Sequence, residues 1–283
     1  STSALELENI PKRLFIIGGG IIGLEMACVY SELGSQVTII ELSSNLIGEA
    51  DRDLIRPLEE KLSKKLEAIY KSTKVVAIEE TNEGLILTLE SDSAPEKLAC
   101  DAVLIATGRL PNIEGLGLDN IGVEITNQSF VSVDSELRTN LSNIFAVGDV
   151  VGNPILAHKS TYQGKVAAEV IAGMKSRSDI KAVPSVAYTD PEVAWIGTTE
   201  LTKLSEGIDL KISSFPWAAS GRSLAIGRKD GKTKLIFDQR SKALIGAGVV
   251  GPNAGELIGE LAVALEMGAD YEDMALTMHA HPT

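Results

Sequence analysis

Arg13-Leu14-Phe15-Ile16-Ile17 runs directly into Gly18-Gly19-Gly20-Ile21-Ile22-Gly23, and an apolar-faced segment follows as far as Leu33. Gly18, Gly20 and Gly23 fill a G-x-G-x-x-G frame. Alone, such a frame says little in a chain with 26 glycines, because loops collect glycine for its freedom at positive φ. Its surroundings give it meaning. An apolar run precedes the glycines, and Ile22, Met26, Val29 and Leu33 follow at helical spacing before Gly34 stops the pattern. Gln36-Val37-Thr38-Ile39-Ile40 then predicts a second buried strand that ends on Glu41. Glycines without side chains let a pyrophosphate approach the backbone, and the first turn of a helix offers it unpaired N–H groups. A carboxylate at the tip of the second strand can accept from a ribose 2′-OH. The glycines by themselves also fit a βα turn in an unrelated α/β protein. Glu41 selects between cofactors: a 2′-phosphate would meet like charge there, so NAD is favoured over NADP.

Length and charge bound the rest. At 283 residues the chain is long enough for two or three domains, each able to bury a core. Its 44% apolar content shows no bias towards disorder, and no apolar run approaches the roughly 18 residues of a membrane span. The start, Ser1-Thr2-Ser3-Ala4-Leu5-Glu6, has neither a basic region nor an apolar one to direct secretion, which predicts a cytoplasmic protein. A net charge of −13 argues against nucleic acid or an anionic membrane as partner, since both are bound by clustered Lys and Arg. Small molecules and proteins remain. The only cysteines, Cys28 and Cys100, lack a second Cys at redox or metal spacing, so they read as small core residues in a reducing compartment, and no metal site is expected.

Beyond Glu41, Asp51 can cap a helix whose Leu54, Leu58, Leu62 and Leu66 recur every four residues, with Pro57 inside it as a bend or an early-turn residue. A meander follows in Lys74–Ile78 and Leu85–Leu89, then a strand in Ala102–Ala106. Phe130–Asp134 reads as a strand, and Asn143–Val147 as a buried strand that ends in Gly148-Asp149. A Gly-Asp end presents one carboxylate beside bare backbone, although an Asx turn would look the same. Leu156 to Lys159 opens a helix of small residues that continues to Ala172. From Pro184 onward strands dominate: Val186–Tyr188, Val193–Ile196, Leu210–Ile212 after a short helix, and a hairpin from Thr233 to Val250 about Arg240-Ser241-Lys242. A helix from Ala254 to Met267 ends at Gly268, and Asp270 with Asp273 caps a last short one.

In sequence order, these residues resemble the flavin-dependent pyridine nucleotide-disulfide oxidoreductases. The resemblance rests on GGGIIGLE at 18–25, Glu41, ATGRLPN at 106–112, NIFAVGD at 143–149, ILAHK at 155–159, YTDPEVAWIG at 188–197, GPNAGEL at 251–257 and HAHPT at 279–283. It implies an α/β chain with a Rossmann-like NAD-binding domain over residues 1–110, a partial FAD-domain return segment over 111–182 and an α+β interface domain over 183–283. It further implies that Gly18, Gly19, Gly20, Ile21, Ile22, Gly23, Leu24, Glu25, Glu41, Val75 and Gly108 line the NAD site. By the same resemblance Asp149, Ile155, Leu156, Ala157 and His158 contact FAD, and His281 is the catalytic base, supplied to a partner subunit in a homodimer. Within the family, the branch that oxidises dihydrolipoyl groups on the lipoyl-bearing acyltransferase of 2-oxo-acid dehydrogenase complexes is the nearest match. Glutathione and mercuric reductases, soluble transhydrogenases, and a non-catalytic NAD-binding or dimerisation module are the alternatives.

A substrate thiol with a pKa near 8.5 is only about a few per cent thiolate at neutral pH, so a base in hydrogen-bond reach raises the reactive fraction. The family's Cys-x4-Cys pair, its preceding flavin glycines and a Glu shortly after His-Pro are not found in this sequence. The chain therefore reads as a fragment that starts at the NAD domain and stops within the catalytic motif, with apolar surface exposed over residues 111–180. The purified 283-residue chain is expected to bind NAD weakly and to form no NADH from dihydrolipoamide; measurable turnover would overturn this reading.

Overall fold

The computed structural model describes residues 2–200, 202 and 207–283, which fall into two compact units: residues 1–108 with 184–283, and residues 109–183. In the first unit, β1 (Arg13–Ile17), α1 (Ile21–Glu32) and β2 (Gln36–Ile40) form a parallel crossover, followed by α2 (Arg52–Lys65) and β3 (Ala68–Tyr70). A three-stranded antiparallel sheet of β4 (Lys74–Thr81), β5 (Gly84–Glu90) and β6 (Lys97–Cys100) leads into β7 (Ala102–Ile105). The parallel sheet has the order β3-β2-β1-β7, so the carboxyl ends of β1, β2 and β7 lie side by side. Its central strand carries Leu14, Phe15 and Ile16, all buried, as expected of a sheet covered on both faces.

The two helices show what periodicity can decide. Leu54, Leu58, Leu62 and Leu66 are all buried, and α2 continues through Pro57. In α1 the expected stripe is rotated: Gly23, Leu24, Ala27 and Tyr30 are buried, whereas Val29 and Leu33 are 45% and 52% exposed. Apolar residues surround α1 on nearly every side, so spacing alone does not choose the face. The small Gly23 and Ala27 do, by allowing the helix to lie close against the sheet.

Unit 1 also contains a second, five-stranded antiparallel sheet of order β10-β11-β12-β9-β8, built from β8 (Ser185–Ala187), β9 (Glu192–Gly197), β10 (Leu210–Pro216), β11 (Lys232–Asp238) and β12 (Leu244–Gly251). The short helix expected before Leu210 lies in large part outside the described residues. Ala187, Val193, Trp195 and Val250 of this sheet join the same core cluster as Leu14, Ile16, Leu54 and Leu58. A Cβ on Gly248 would collide with Leu54, so glycine is what lets β12 lie on α2.

Unit 2 contains α3 (Leu118–Ile121), a 3-10 turn over Gly148–Val151 and α4 (Ala157–Ile171), around a small core of Leu137, Val166, Ala167 and Val170. The strands expected at 130–134 and 143–147 are reduced to the isolated bridges Ile125–Val131 and Arg138–Phe145. Strand-like apolar runs form a ladder only when neighbours extend it, and among the described residues of this unit no such neighbour lies alongside. Unit 1 also carries, among the described residues, α5 (Gly221–Ala225), α6 (Ala254–Met267) and α7 (Tyr271–Leu276). Gly268 closes α6 at φ 74°, and Asp270 with Asp273 forms a capping box on α7.

One buried charge ties the five-stranded antiparallel sheet of unit 1 to the start of α2. Lys234 on β11 is 1% exposed, and its Nζ lies 2.8 Å from both Asp51 Oδ2 and Asp53 Oδ1, with Glu200 as a third carboxylate partner. Asp51 sits at the N-cap position of α2 but makes no side-chain cap; its other oxygen accepts from Glu200 N–H at 3.1 Å. Burial pulls the Lys234 pKa down, and the hydrogen bonds to Asp51, Asp53 and Glu200 outweigh it and hold the ammonium at about 12. Burial raises the Asp53 carboxyl, and Lys234 and Lys232 more than reverse that, leaving it below its ordinary value. Removing one partner from such a cluster leaves uncompensated buried charge, at a cost of about 3–5 kcal/mol. Lys234→Met is therefore expected to lower the denaturant midpoint accordingly at pH 7. Because the Asp53 pKa is depressed on folding, its contribution is present above its ordinary value and lost as pH falls through the folded one. The stability gap between wild type and variant should narrow under acid titration.

Candidate functional site

The glycine turn lies where the parallel strands end. Gly18 has φ 111°, its N–H donates to Ile40 O at 2.9 Å, and a Cβ there would strike the carbonyl of Ala106. Gly23, in the first turn of α1, faces the carbonyl of Gly18, again with no room for a Cβ. Gly20 differs: nothing lies within 4 Å of where its Cβ would be. Two glycines of the frame thus serve backbone packing, and the third faces open space, as close approach of a ligand requires.

Glu41 is built into this turn. Its Oε2 accepts from Gly19 N–H at 2.5 Å, and its Oε1 accepts from Ser43 N–H at 2.7 Å and from the Ser43 hydroxyl. Gly19 O in turn accepts from Ile47 N–H at 3.0 Å. The loop is therefore held from two directions, with a carboxylate fixed beside the amino end of α1. That end has Gly20 at its N-cap with no side-chain cap, so the amides of Ile21 and Ile22 belong to the unpaired first turn. Leu24 differs from these two: its side chain is fully buried and its N–H is taken by Gly20 O at 3.0 Å. Glu25 reaches the other sheet of the unit, where its Oε1 accepts from Tyr188 N–H at 2.8 Å. Val75 lies on β4 beside a register shift and packs under the three-stranded sheet. Gly108 has φ 130° with no atom near a virtual Cβ. A dinucleotide fits this donor set: amides for a pyrophosphate, a carboxylate for ribose hydroxyls, and bare backbone between them.

In unit 2, Asp149 lies on the 3-10 turn, and its Oδ2 is 3.3 Å from Arg109 Nη1. Gly148 precedes it at φ 81°, and its N–H donates to the buried Gln163 Oε1 at 2.8 Å. Ile155 leads to Leu156, the N-cap of α4, and Ala157 and His158 form the helix's first turn without a side-chain cap. An acceptor carboxylate for hydroxyls beside the start of a helix is an arrangement that suits a flavin nucleotide. Arg109, Lys159 and Gln163 were not singled out by the sequence. The available signal was a Lys and a Gln four residues apart on the face of α4 that carries Val166, Ala167 and Val170.

The histidines separate at the chain's end. His281 is exposed. His279 Nε2 is 2.6 Å from Glu260 Oε1 and its Nδ1 is 3.1 Å from Thr277 O, and the bond to Glu260 raises its pKa above the ordinary value. Burial raises both thiols, that of Cys100 to about 11, so neither is a thiolate at neutral pH. Cys28 and Cys100 belong to different core clusters.

The steric argument predicts a contrast. Gly18→Ala should cost more than about 2 kcal/mol, from positive-φ strain plus the clash with Ala106 O. Gly20→Ala should cost no more than about 1 kcal/mol, the scale of an N-cap change. Equal denaturant midpoints for the two variants would contradict this geometry.

Two family models match the chain, and the first runs across the boundary between the two compact units. The family described as pyridine nucleotide-disulphide oxidoreductase matches residues 1–164, and that family's dimerisation domain matches residues 183–283. Dihydrolipoyl dehydrogenases of Vibrio cholerae, Haemophilus influenzae and Geobacillus stearothermophilus are 49%, 47% and 42% identical over the whole chain. The chain spans about 60% of the length of these curated relatives. Among solved structures, a Cu(II) complex of the HOCl-induced flavoprotein disulfide reductase RclA from Escherichia coli aligns with all of the chain and 65% of its own, at TM-score 0.90 and 29% identity. LpdA from Mycobacterium tuberculosis covers 98% of the chain and 60% of its own, at TM-score 0.89 and 26% identity.

Proposed function

From the premise that this chain belongs to the pyridine nucleotide-disulphide oxidoreductases, we propose that it carries the nicotinamide-binding and dimerisation parts of a dihydrolipoyl dehydrogenase. The observation that carries the proposal is Glu41, fixed by Gly19 and Ser43 beside the open start of α1. A carboxylate held there accepts from ribose hydroxyls and repels a 2′-phosphate, which makes NAD the nucleotide. Gly18, Gly20 and Gly23 let the pyrophosphate lie on the backbone, and the amides of Ile21 and Ile22 stabilise its charge.

Asp149 and the segment Ile155–His158 would hold FAD, which when bound supplies two-electron acceptance from thiols and hydride donation to NAD. The chain's own contribution to the thiol half of the reaction is His281, whose neutral imidazole accepts a proton from the dithiol and so raises its thiolate fraction. Cys28 and Cys100 take no part, being buried or half-buried thiols with raised pKa values. A homodimer through residues 183–283 agrees with the dimerisation-domain match, and the lipoyl-bearing acyltransferase of a 2-oxo-acid dehydrogenase complex is the proposed protein partner. Among the described residues no helix is long and apolar enough to cross a membrane.

Glu41→Gln tests the nucleotide assignment. A charge-assisted hydrogen bond contributes about 1.5–3 kcal/mol, so NAD affinity measured by titration should fall about tenfold or more while NADP affinity does not. In the full-length protein, His281→Gln should reduce dihydrolipoamide turnover by about 10²–10⁴ and leave NADH-driven reduction of an artificial electron acceptor near wild type. Unchanged NAD affinity in the first variant would overturn the nucleotide reading, and unchanged turnover in the second would remove His281 from the chemistry.

A further inference from the structure

Lys159 is placed where a lysine is hard to accommodate. It is the third residue of α4, where the helix dipole disfavours a cation, and it is only 7% exposed. Its Nζ donates to the carbonyl of Gly152, which terminates the 3-10 turn Gly148–Val151. One helical turn further along the same face, Gln163 Oε1 accepts from Gly148 N–H at 2.8 Å, at the start of that turn. Between them, Ser160 packs against Gly148 so closely that a Cβ on the glycine would lie 2.7 Å from Ser160 Oγ. Helix α4 thus grips the turn at both ends, with Asp149, Val150 and Val151 between the two grips and Asp149 the charged one of the three. Burial lowers the Lys159 pKa, and the Asp149 charge acts in the opposite direction. The exposed Arg109 partner is a weak restraint by comparison.

We infer that Lys159 and Gln163 are positioning residues that fix the Gly148–Gly152 turn so that Asp149 presents its carboxylate to the hydroxyls of a flavin nucleotide, an inference that rests on the flavin reading of this turn. Neither side chain needs to touch the ligand. A buried ammonium and a buried amide hold the two ends of a turn whose middle is tied by one backbone bond, from Val131 N–H to Val150 O at 2.8 Å, and the orientation of one carboxylate follows.

The test uses the full-length protein, with flavin removed and FAD added back. Lys159→Met and Gln163→Leu keep volume and remove the polar grips, and each is expected to raise the FAD dissociation constant at least tenfold and to change the visible circular dichroism of the bound flavin. NAD affinity should stay within twofold of wild type. Because both act through Asp149, combining either with Asp149→Asn should add less than a further twofold loss. Gln163→Glu, which retains the acceptor, and Lys159→Arg, which retains the cation, should keep FAD affinity within threefold, and they serve if the apolar variants do not fold. Full additivity with Asp149→Asn, or wild-type FAD affinity in Lys159→Met, would overturn the inference. Wild-type FAD affinity in Asp149→Asn alone would instead overturn the flavin reading beneath it.

Discussion

The glycine turn depends on two backbone contacts that admit no side chain: Gly18 against the carbonyl of Ala106, and Gly23 against the carbonyl of Gly18. The first lets the end of β1 pass close to the end of β7. The second lets α1 begin almost on top of β1, so that its unpaired amides open at the strand ends rather than a side chain's width away. Glu41 then needs only the next strand's length to arrive at the same place, because β2 pairs in parallel register with β1 from Gln36 to Ile40. A buried, two-face-covered sheet, a helix start and a carboxylate converge there through packing alone. Their convergence follows from a steric condition on two glycines.

The same unit uses charge where glycine cannot serve. The parallel sheet and the antiparallel sheet share one apolar core, yet the N-terminus of α2 brings Asp51 and Asp53 to its edge. Two carboxylates at a helix start are favoured by the dipole, and burying them is not, so a cation must come with them. Lys234 supplies it from β11 and is itself taken out of water by doing so. The arrangement fixes the register of β11 relative to α2, because a slip of one residue would turn the lysine to the opposite face of the strand and leave three acids without it. Glu25 does a smaller version of the same task, reaching from α1 to the amide of Tyr188.

Legibility in the sequence tracked the kind of force involved. Where a single apolar stripe faced a polar one, as in α2, spacing named the buried residues, and the caps of α6 and α7 were readable because they rest on local chemistry. In α1 the apolar residues go all round, and the face was decided by small residues fitting a sheet that sequence spacing does not describe. The glycine turn and Glu41 were readable as a unit because each residue type has one physical reason to be there. Asp51 looked like a cap and serves Lys234 instead, a partner 183 positions away that no local pattern could supply. The strands expected around Phe130 and Phe145 failed for a related reason: apolar alternation is a local property, whereas a ladder needs neighbours.

That last failure explains the character of unit 2. With only isolated bridges and a core of Leu137, Val166, Ala167 and Val170, its backbone between Arg109 and Val183 is fixed by scattered backbone bonds, such as Val131 N–H to Val150 O and Thr139 N–H to Ile144 O, together with side-chain hydrogen bonds: Asn140 to Gly122 and Glu124, Asp134 to Glu136 and Arg138, Gln163 to Gly148, Lys159 to Gly152. A ladder tolerates substitution because each bond belongs to the backbone and survives a change of side chain. A turn held by side chains does not, since each bond disappears with its residue and leaves a buried partner unsatisfied. The buried polar residues of α4 therefore carry more conformational information than the apolar residues around them, and the position of Asp149 depends on residues that a reading of hydrophobic pattern would pass over.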